Sequence, residues 1–531
     1  MLLDARELPS NQVIETDLCI IGAGPAGISI AGEFAGAQTR VCLVESGGAD
    51  IEPAAQRLNR GWSVGYPTYL LHRSRVRAFG GASRHWISRG DETWAARALD
   101  PIDFEVRPGI PYSGWPFDLA ELESHYPPAR SICQLGPAGG DHGGPVGGPG
   151  VSGLPLRTPD VETILFQHGT SGFEGFYQGL VRSSNVTLLL HATVADLGTE
   201  RDPARVDRVE IRRRDGSRCF VSPRVVVLAA GGIENPRLLL LSNRTHRRGL
   251  GNDRDLVGRF FAERLSARSG YLVANPELLR RSWLYGVHAV GHGRAQGALR
   301  VADSVQRQRQ LLNCAFFLLP RSAWMTAEAV RSLATLVKGF SRRPRPESPL
   351  GHLHNVVTGL GDLVALAADR VRRPDAHGVL VLRFQAEQAP NRDSRVTLGT
   401  RRDPLGLPVA RLDWRMAAAD RASVRASQEL VSGALQAAGL GRVELLLGDE
   451  QPPTLIEGNY HHLGATRMHP SPNLGVVDAD CRVHGTRNLY VAGSSLFPTY
   501  GCSNPTLTVV ALALRLADHL HKQLAGGRPL A

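Results

Sequence analysis

Residues 18–45 read LCIIGAGPAGISIAGEFAGAQTRVCLVE, and this stretch decides the fold. Apolar runs at 18–21 and 41–44 predict two strands, and the alanine-rich segment between them predicts a helix. Gly22, Gly24 and Gly27 allow a tight turn and a close approach of the backbone to a pyrophosphate at the helix N-terminus. Glu45, at the end of the second strand, is placed to accept from ribose hydroxyls. The pattern predicts a dinucleotide site and disfavours the 2′-phosphate of NADP, but it does not choose between NAD and FAD.

Length and charge limit the class of protein. The chain has 531 residues, more than the roughly 250–300 at which a single core stops growing, so we expect two domains or one large elaborated domain. The formal net charge of +11 is compatible with nucleic acid, a membrane surface or an acidic substrate as partner. However, Lys338 and Lys522 are the only lysines, and the arginines are scattered along the chain. This pattern indicates a solvated basic surface, and we expect no nucleic-acid partner.

The cysteines and the N-terminal segment bear on location. The cysteines are odd in number, far apart and mostly set among apolar residues, which indicates buried thiols in a reducing compartment. They are Cys19, Cys42, Cys133, Cys219, Cys314, Cys481 and Cys502. The acidic start of the chain lacks the features of a signal peptide, and no stretch reaches the ~18 apolar residues of a spanning helix. We therefore expect a cytoplasmic protein without a membrane-spanning segment.

Further elements follow from periodicity. Residues 186–228 predict a strand-rich meander that turns at Asp215 and Gly216 and returns to the sheet. Residues 381–384 and 395–398 predict strands, and residues 325–340 and 360–371 show helical spacing. The glycine- and proline-rich run at 135–155 predicts an exposed loop.

The C-terminal end has a clear helix start. Asn504 precedes Pro505, and residues 506–520 read TLTVVALALRLADHL. Asparagine caps helices and proline suits the first helical position, so a helix is predicted from Thr506. Its N-terminus would suit the anionic end of a reduced flavin, although a capped helix without a ligand explains the same pattern.

Two adjacent histidines stand out in a loop-like segment. Oxidation of an alcohol needs a base for the hydroxyl proton, and histidine titrates close to neutral pH. Either His461 or His462 could serve, although each could also be a structural histidine. His461, His462 and His469 lack the spaced ligands of a metal site, so no metal is expected. The segment at 61–65 matches a hydrolase elbow in letters, but lacks the strand and helix that this motif requires.

Taken together, the motifs resemble those of the glucose-methanol-choline (GMC) family of FAD-dependent oxidoreductases. Besides the fingerprint and the C-terminal block, the resemblance is carried by Phe79-Gly80-Gly81-Ala82-Ser83-Arg84-His85-Trp86, Ser113-Gly114-Trp115-Pro116, Ala229-Ala230-Gly231-Gly232-Ile233-Glu234-Asn235-Pro236-Arg237 and Asp393-Ser394-Arg395-Val396-Thr397-Leu398. It implies FAD and an α/β fold, in which a Rossmann-like FAD-binding domain is interleaved with an α+β substrate domain built on an antiparallel sheet. We expect residues 1–90, 180–263 and 455–531 to bind FAD, and residues 91–179 and 264–454 to form the substrate domain and covering segments.

The resemblance also assigns roles to residues. It implies that His461 is the base and that Asn504 orients the substrate hydroxyl, an asparagine typical of the pyranose- and sterol-oxidising branches. A covalent flavin bond through His85 is an alternative to non-covalent FAD. Ala465, Gly493 and the Glu263-Arg264-Leu265 segment depart from the usual family residues. The expected cofactor-binding residues are Gly22, Gly24, Pro25, Ala26, Gly27, Glu45, Gly80, Gly81, Ser83, His85, Val194, Ala230, Gly231, Gly493, Ser494, Asn504, Pro505 and Thr506.

The expected reaction follows from this family. A sugar-like or other cyclic alcohol, primary or secondary, would be oxidised to a carbonyl by hydride transfer to flavin N5, with dioxygen or another carrier as electron acceptor. A flavin-containing lyase and a non-enzymatic nucleotide-binding protein are the alternatives. The oligomeric state stays open.

Overall fold

The computed structural model describes residues 1–66, 69–86, 94–135, 153–169, 172–275, 278, 282–290, 293–320, 353, 356–357, 379–445 and 457–525. The predicted helices at 325–340 and 360–371 and most of the predicted loop at 135–155 lie outside the described residues. Within these ranges, no helix combines the length and apolarity needed to cross a bilayer.

The described chain contains both strands and helices. The strands are β1 (Leu2–Asp4), β2 (Val13–Ile21), β3 (Val41–Val44), β4 (Gly61–Gly65), β5 (Trp94–Ala96), β6 (Val161–Gly169), β7 (Val186–Leu190), β8 (Thr193–Gly198), β9 (Arg208–Arg212), β10 (Arg218–Leu228), β11 (Leu265–Ala274), β12 (His288–Val290), β13 (Gly293–Val301), β14 (Cys314–Pro320), β15 (Val379–Ala386), β16 (Arg395–Arg402), β17 (Pro408–Trp414), β18 (Gly441–Leu445), β19 (Glu457–Gly458) and β20 (Leu489–Val491). The helices are α1 (Pro25–Glu33), α2 (Pro53–Gln56), α3 (Pro101–Phe104), α4 (Ala120–Glu123), α5 (Tyr126–Ile132), α6 (Tyr177–Arg182), α7 (Glu234–Leu241), α8 (Asp303–Arg309), α9 (Ala418–Ala437) and α10 (Thr506–Ala525).

A largely parallel sheet carries the predicted nucleotide-binding unit. Its strand order is β1-β7-β3-β2-β10-β9-β8. β2 pairs in parallel with β3 on one side and with β10 on the other. These central strands are buried apolar runs, as expected where helices cover both faces of a parallel sheet. The predicted strand–helix–strand unit is thereby confirmed.

The predicted meander is also present. β8 pairs antiparallel with β9, and β9 pairs antiparallel with β10. Gly216 takes a φ of +84° in the turn between β9 and β10, and Asp215 accepts a hydrogen bond from the Ser217 N–H at 2.9 Å. The turn was predictable because both residues favour it locally.

The C-terminal segment returns to the same sheet. β20 pairs in parallel with β10, with Val491 opposite Leu228. α10 then lies beside α1, where the ring of His521 stacks on Phe34 with centroids 3.9 Å apart. The helix begins at Thr506 as predicted and continues to Ala525, beyond the predicted end at residue 520. Both ends of the chain therefore build one region.

A second sheet is antiparallel, with the order β18-β11-β15-β14-β13-β6-β5. One of its faces packs against α9 through Val424, Val431 and Leu435. On the other face, Phe317 and its neighbours pack against Cys502, which belongs to the loop that precedes α10. This arrangement confirms the predicted fold class, whereas the predicted domain boundaries stay a prediction.

Two smaller predictions concern local structure. Residues 61–65 form β4, which pairs in parallel with β17, so the segment is a strand and not a hydrolase elbow. All seven cysteines are free and buried, as the apolar neighbourhoods predicted.

Candidate active site

A cavity opens at the carboxyl ends of the parallel strands. Gly22 follows β2, Glu45 follows β3, Ala229 follows β10 and Gly493 lies just beyond β20, and all four line it. Ligands of open α/β sheets bind at this edge. The cavity extends to His461 and His462. We call the part around Gly22, Gly24, Gly27 and Glu45 the glycine end. The histidine end is the part around His461 and His462, together with the nearby Glu263, Arg264 and Asn504, which are not among the lining residues.

The fingerprint glycines have two different functions. A Cβ on Gly27 would lie 2.0 Å from the Gly22 carbonyl oxygen, and a Cβ on Gly22 would lie 2.6 Å from that of Ala229. These two glycines are required because backbone packs against backbone. A Cβ on Gly24, by contrast, would meet no protein atom within 4 Å, so this residue leaves space on the cavity side.

Glu45 holds the glycine loop. Its carboxylate, which is 5% exposed, accepts from the Ala23 N–H at 3.0 Å and from the Gly47 N–H at 2.9 Å. Oε1 also accepts from Ser46 Oγ at 3.3 Å. Oε2 keeps a further lone pair, which suits the predicted contact with ribose hydroxyls.

The walls leave room for a flat cofactor. Gly231 and Gly493 both line the cavity at φ values of +90° and +110°, and a Cβ on either would meet no protein atom within 4 Å. The N-terminus of α1 reaches the cavity through Pro25 and Ala26, and that of α10 through Pro505 and Thr506. Two helix N-termini favour anionic groups on the ligand. The residues present therefore fit a dinucleotide with a planar ring.

Most of the predicted cofactor residues line this cavity. They are Gly22, Gly24, Pro25, Ala26, Glu45, Gly81, Val194, Ala230, Gly231, Gly493, Ser494, Pro505 and Thr506. Gly27, Gly80, Ser83, His85 and Asn504 are not among its lining residues.

Ser83 is placed differently from the expectation. Its hydroxyl donates to the Gly80 carbonyl at 2.7 Å and accepts from the Phe173 N–H at 3.0 Å. It therefore fixes the loop, while Gly81, Ala82 and Trp86 face the cavity. His85 is partly exposed and lies in the same short helical turn, Gly81–His85.

A buried arginine cluster was not predicted from the sequence. Arg77 pairs with Glu234 at 2.9 Å, and Arg237 pairs with Glu234 at 3.0 Å and with Asp403 at 2.7 Å. Arg75 also contacts Glu234. These cations hold the pKa of Glu234 well below its usual range. Arg75, Arg77 and Arg237 line the cavity, and three guanidinium groups against two carboxylates leave a net positive charge there. The alternation of arginines at 73, 75 and 77 was the available signal.

The two adjacent histidines are held differently in the structure. The backbone N–H of His461 donates to Glu263 Oε2 at 3.1 Å. The ring nitrogen Nδ1 of His461 has no hydrogen-bond partner among the described residues. The backbone of His462 is held closely on two sides. Its carbonyl accepts from Ser494 Oγ at 2.7 Å, and a Cβ on Gly232 would lie 2.2 Å from that carbonyl oxygen. Both histidines line the cavity and each keeps one unpartnered ring nitrogen among the described residues, so they differ in how their backbones are held.

Burial keeps both imidazoles neutral. Loss of water lowers the pKa of His461 well below its usual 6.5, and the Arg264 cation lowers this pKa further. Burial, with a smaller effect of Arg75, lowers the pKa of His462 to about 3. A neutral imidazole offers a lone pair, so His461 can accept a proton.

Asn504 is held by an arginine and not by the helix it precedes. Its Oδ1 accepts from Arg264 Nη1, which also donates to Gln385 Oε1 at 2.7 Å. Among the described residues, Asn504 Oδ1 has no bond to a helix N–H, so the predicted side-chain cap is absent although the helix start is correct. Arg264 acts electrostatically on His461 as well, and so connects the two predicted catalytic residues.

Glu263 completes the histidine end. It is fully buried, and burial raises the pKa of its carboxyl to about 8. Tyr500 OH donates to its backbone carbonyl at 2.9 Å. Glu263 Oε1 and His462 Nε2 lie 3.7 Å apart, and neither has a hydrogen-bond partner in the described chain. His462 lines the cavity, and an unpartnered buried polar atom at a cavity wall indicates a place where a ligand or water belongs.

The family profile described as "GMC oxidoreductase" matches residues 390–513, which include His461 and Asn504. Residues 390–513 thus form a GMC oxidoreductase domain. It is 22% identical over 579 residues to 2-methyl-1,2-propanediol dehydrogenase from Mycolicibacterium austroafricanum, covering 96% of each chain. It is also 25% identical over 531 residues to paromamine 6′-oxidase from Streptomyces fradiae, covering 94% of this chain and 90% of that relative.

Solved structures show the same fold. An FAD-dependent oxidoreductase from Chaetomium thermophilum matches with a TM-score of 0.54 and 17% identity, covering 96% of this chain and 99% of that chain. Among the described residues of the present protein, no group of three or more His, Cys, Asp and Glu side chains is placed to hold a metal ion.

Proposed function

We propose that this GMC oxidoreductase binds FAD in the cavity and oxidises an alcohol to a carbonyl with His461 as the base. The observation that carries the proposal is the neutral His461 imidazole, with an unpartnered Nδ1, on the wall of a cavity onto which two helix N-termini open. The FAD-dependent structural relative and the alcohol-oxidising relatives support it.

The glycine end would hold the nucleotide part of FAD. The N-terminus of α1 and the net positive charge of Arg75, Arg77 and Arg237 favour the pyrophosphate, and Glu45 favours the ribose. The N-terminus of α10 favours negative charge at the flavin end. When bound, FAD supplies the acceptor for a hydride. The covalent attachment through His85 is a separate proposal, and mass spectrometry of the denatured protein tests it.

The residues at the histidine end would handle the hydroxyl group. The carbinol C–H bond breaks with its electron pair, the O–H bond breaks as His461 takes the proton, and a C=O bond forms. Glu263 fixes the backbone of His461 through the 3.1 Å hydrogen bond. Asn504 would hold the substrate oxygen, so that both groups act through position and through stabilisation that grows toward the transition state.

The substrate class follows from the relatives only in outline. One relative is named for a small diol and the other for an aminated sugar. We propose a sugar-like or other cyclic alcohol, nearer to the pyranose- and sterol-oxidising branches because position 504 is asparagine. Dioxygen or another carrier would accept the electrons.

Anaerobic mixing of the FAD-loaded protein with alcohols tests this function. A panel of polyols, aminocyclitol glycosides and sterols should contain members that bleach the flavin, whereas matched deoxy analogues should not. Flavin that binds but keeps its colour with every alcohol would point to a non-redox reaction such as that of a lyase. Protein that cannot be loaded with flavin would contradict FAD binding itself.

A further inference from the structure

We propose that Arg264 selects the substrate of this site, and that the alcohol it selects carries a carboxylate close to the carbinol carbon. The inference rests on the proposed alcohol oxidation and adds the chemistry of the group beside the reacting carbon.

The position of Arg264 links it to both proposed reacting residues. In the sequence, Arg264 follows Glu263, whose side chain accepts from the His461 backbone N–H at 3.1 Å. It precedes the first residue of β11. Its guanidinium bonds Gln385 of β15 and Asn504 of the loop before α10. A group that contacts this guanidinium therefore lies within a few bonds of an oxygen held by Asn504.

The contact also sets the orientation of the Asn504 amide. A guanidinium only donates hydrogen bonds, so the amide oxygen must face Arg264. The Nδ2 group of Asn504 is thereby turned away from Arg264. It is available to donate to a substrate oxygen on which negative charge develops.

The charge of Arg264 is not balanced by a carboxylate. Several buried arginines are paired with carboxylates: Arg97 with Asp100 at 2.6 Å, Arg107 with Glu387 at 2.9 Å, and Arg237 with Asp403 at 2.7 Å. Arg213 and Arg467 instead donate to backbone carbonyls. Arg264 is 3% exposed, and its hydrogen-bond partners in the described chain are amides. Its Nε atom has no partner there.

The neighbouring groups do not supply the missing charge. Burial raises the pKa of Glu263 to about 8, so this carboxyl is mostly protonated at neutral pH. His461 and His462 are neutral. The Arg383 cation adds further positive potential and, together with burial, lowers the pKa of Arg264 to about 9. A buried cation without a counter-charge is costly.

A substrate carboxylate would provide that counter-charge. Guanidinium and carboxylate form charge-assisted hydrogen bonds, often two in parallel. An ammonium at the same place would be repelled, since it brings a second positive charge. Arg264 thus favours hydroxy acids and uronic acids over aminated alcohols.

The test uses three small probes of nearly equal shape: acetate, acetamide and the acetamidinium cation. Each is titrated into the oxidised, FAD-loaded protein at constant ionic strength, and binding is read from the flavin absorbance spectrum and the melting temperature. Acetate should bind, and the other two should bind at least about tenfold more weakly, given the strength of charge-assisted hydrogen bonds.

Arg264→Gln should weaken acetate binding by about tenfold or more, whereas Arg309→Gln, which removes an exposed arginine on α8, should not change it. Equal acetate affinity in the Arg264→Gln protein would overturn the proposal. No acetate binding to the wild type would also overturn it, and would indicate that Arg264 balances the charge of the cofactor.

Two further measurements keep the outcome decisive. If Arg264→Gln fails to fold, acetate binding is measured in Arg264→Lys. The wild-type preference for acetate over acetamide then tests the proposal without that variant. The preference for D-glucuronate over D-glucose in flavin reduction should fall in the Arg264 variant. The acetate titration needs no turnover, so it tests the role of Arg264 separately from alcohol oxidation. Acetate binding can be absent while alcohols reduce the flavin, or present while they do not.

Discussion

At the glycine end of the cavity the protein uses mainly backbone, whereas at the histidine end it uses side chains brought from distant segments. Gly22 and Gly27 lie so close to backbone oxygens that neither position has room for a Cβ. Glu45 accepts from backbone N–H groups. Arg264 and Asn504, in contrast, are 240 residues apart in sequence and meet side chain to side chain. A site of the first kind is encoded locally, while a site of the second kind exists only after the chain has folded.

The largest effect is expected from two glycines of the same fingerprint. Gly27→Ala places a Cβ where the Gly22 carbonyl oxygen lies 2.0 Å away, which should destabilise the protein by roughly 1–3 kcal/mol and abolish FAD binding. Gly24→Ala meets no protein atom within 4 Å, so the melting temperature without cofactor should change little while FAD content falls. Flavin absorbance per protein measures the FAD content of each variant, and thermal melting measures its stability. Wild-type FAD content in Gly27→Ala would contradict the claim that close backbone packing at Gly27 shapes the FAD site.

A second test separates the two atoms of one amide at the histidine end. Asn504→Asp keeps an acceptor for Arg264 and loses the Nδ2 donor, so flavin reduction should slow by about 10²-fold with FAD content unchanged. The new carboxylate should also balance Arg264 and abolish acetate binding. Asn473→Asp is the matched control, because an exposed arginine, Arg254, donates to that amide oxygen at 2.6 Å. A reduction rate equal to that of the control would show that the Nδ2 group does not hold the substrate.

The smallest expected effect concerns pH and Glu263. Its folded-state pKa of about 8 lies above the ordinary value of 4.5, so the stability it contributes is full in acid and is lost as pH rises through about 8. Between pH 6 and 7 the wild type should lose up to about 1.4 kcal/mol more than Glu263→Gln. Denaturant unfolding at the two pH values measures this difference. Asp103, whose pKa is also raised to about 8, is present in both proteins and cancels, so parallel pH profiles would contradict the assignment.

The sequence predicted the glycine end well because each signal there is local. The strand–helix–strand pattern, the glycine positions and the start of α10 at Thr506 depend on residues close together in the chain. Ser83 is the exception: the family position was recognised, yet its hydroxyl bonds Gly80 and Phe173. A motif gives the backbone path more reliably than the direction of a side chain.

The histidine end was only partly predictable. The resemblance proposes His461 and Asn504, but the residues alone do not choose between His461 and His462. Among the described residues a ring nitrogen of each histidine is unpartnered, so the choice of His461 stays a prediction. Glu263 and Arg264 were noticed only as a departure from the family sequence. Their roles depend on burial and on a partner far along the chain, and neither can be read from local spacing.

The most direct test of the account is stopped-flow reduction of FAD by a bleaching alcohol under anaerobic conditions, in the wild type and in His461→Ala. His461→Ala should keep its FAD and reduce it about 10²-fold or more slowly, whereas His246→Ala, a change outside the cavity lining, should reduce it at the wild-type rate. Bleaching of His461→Ala at the wild-type rate would contradict the assignment of His461 as the base.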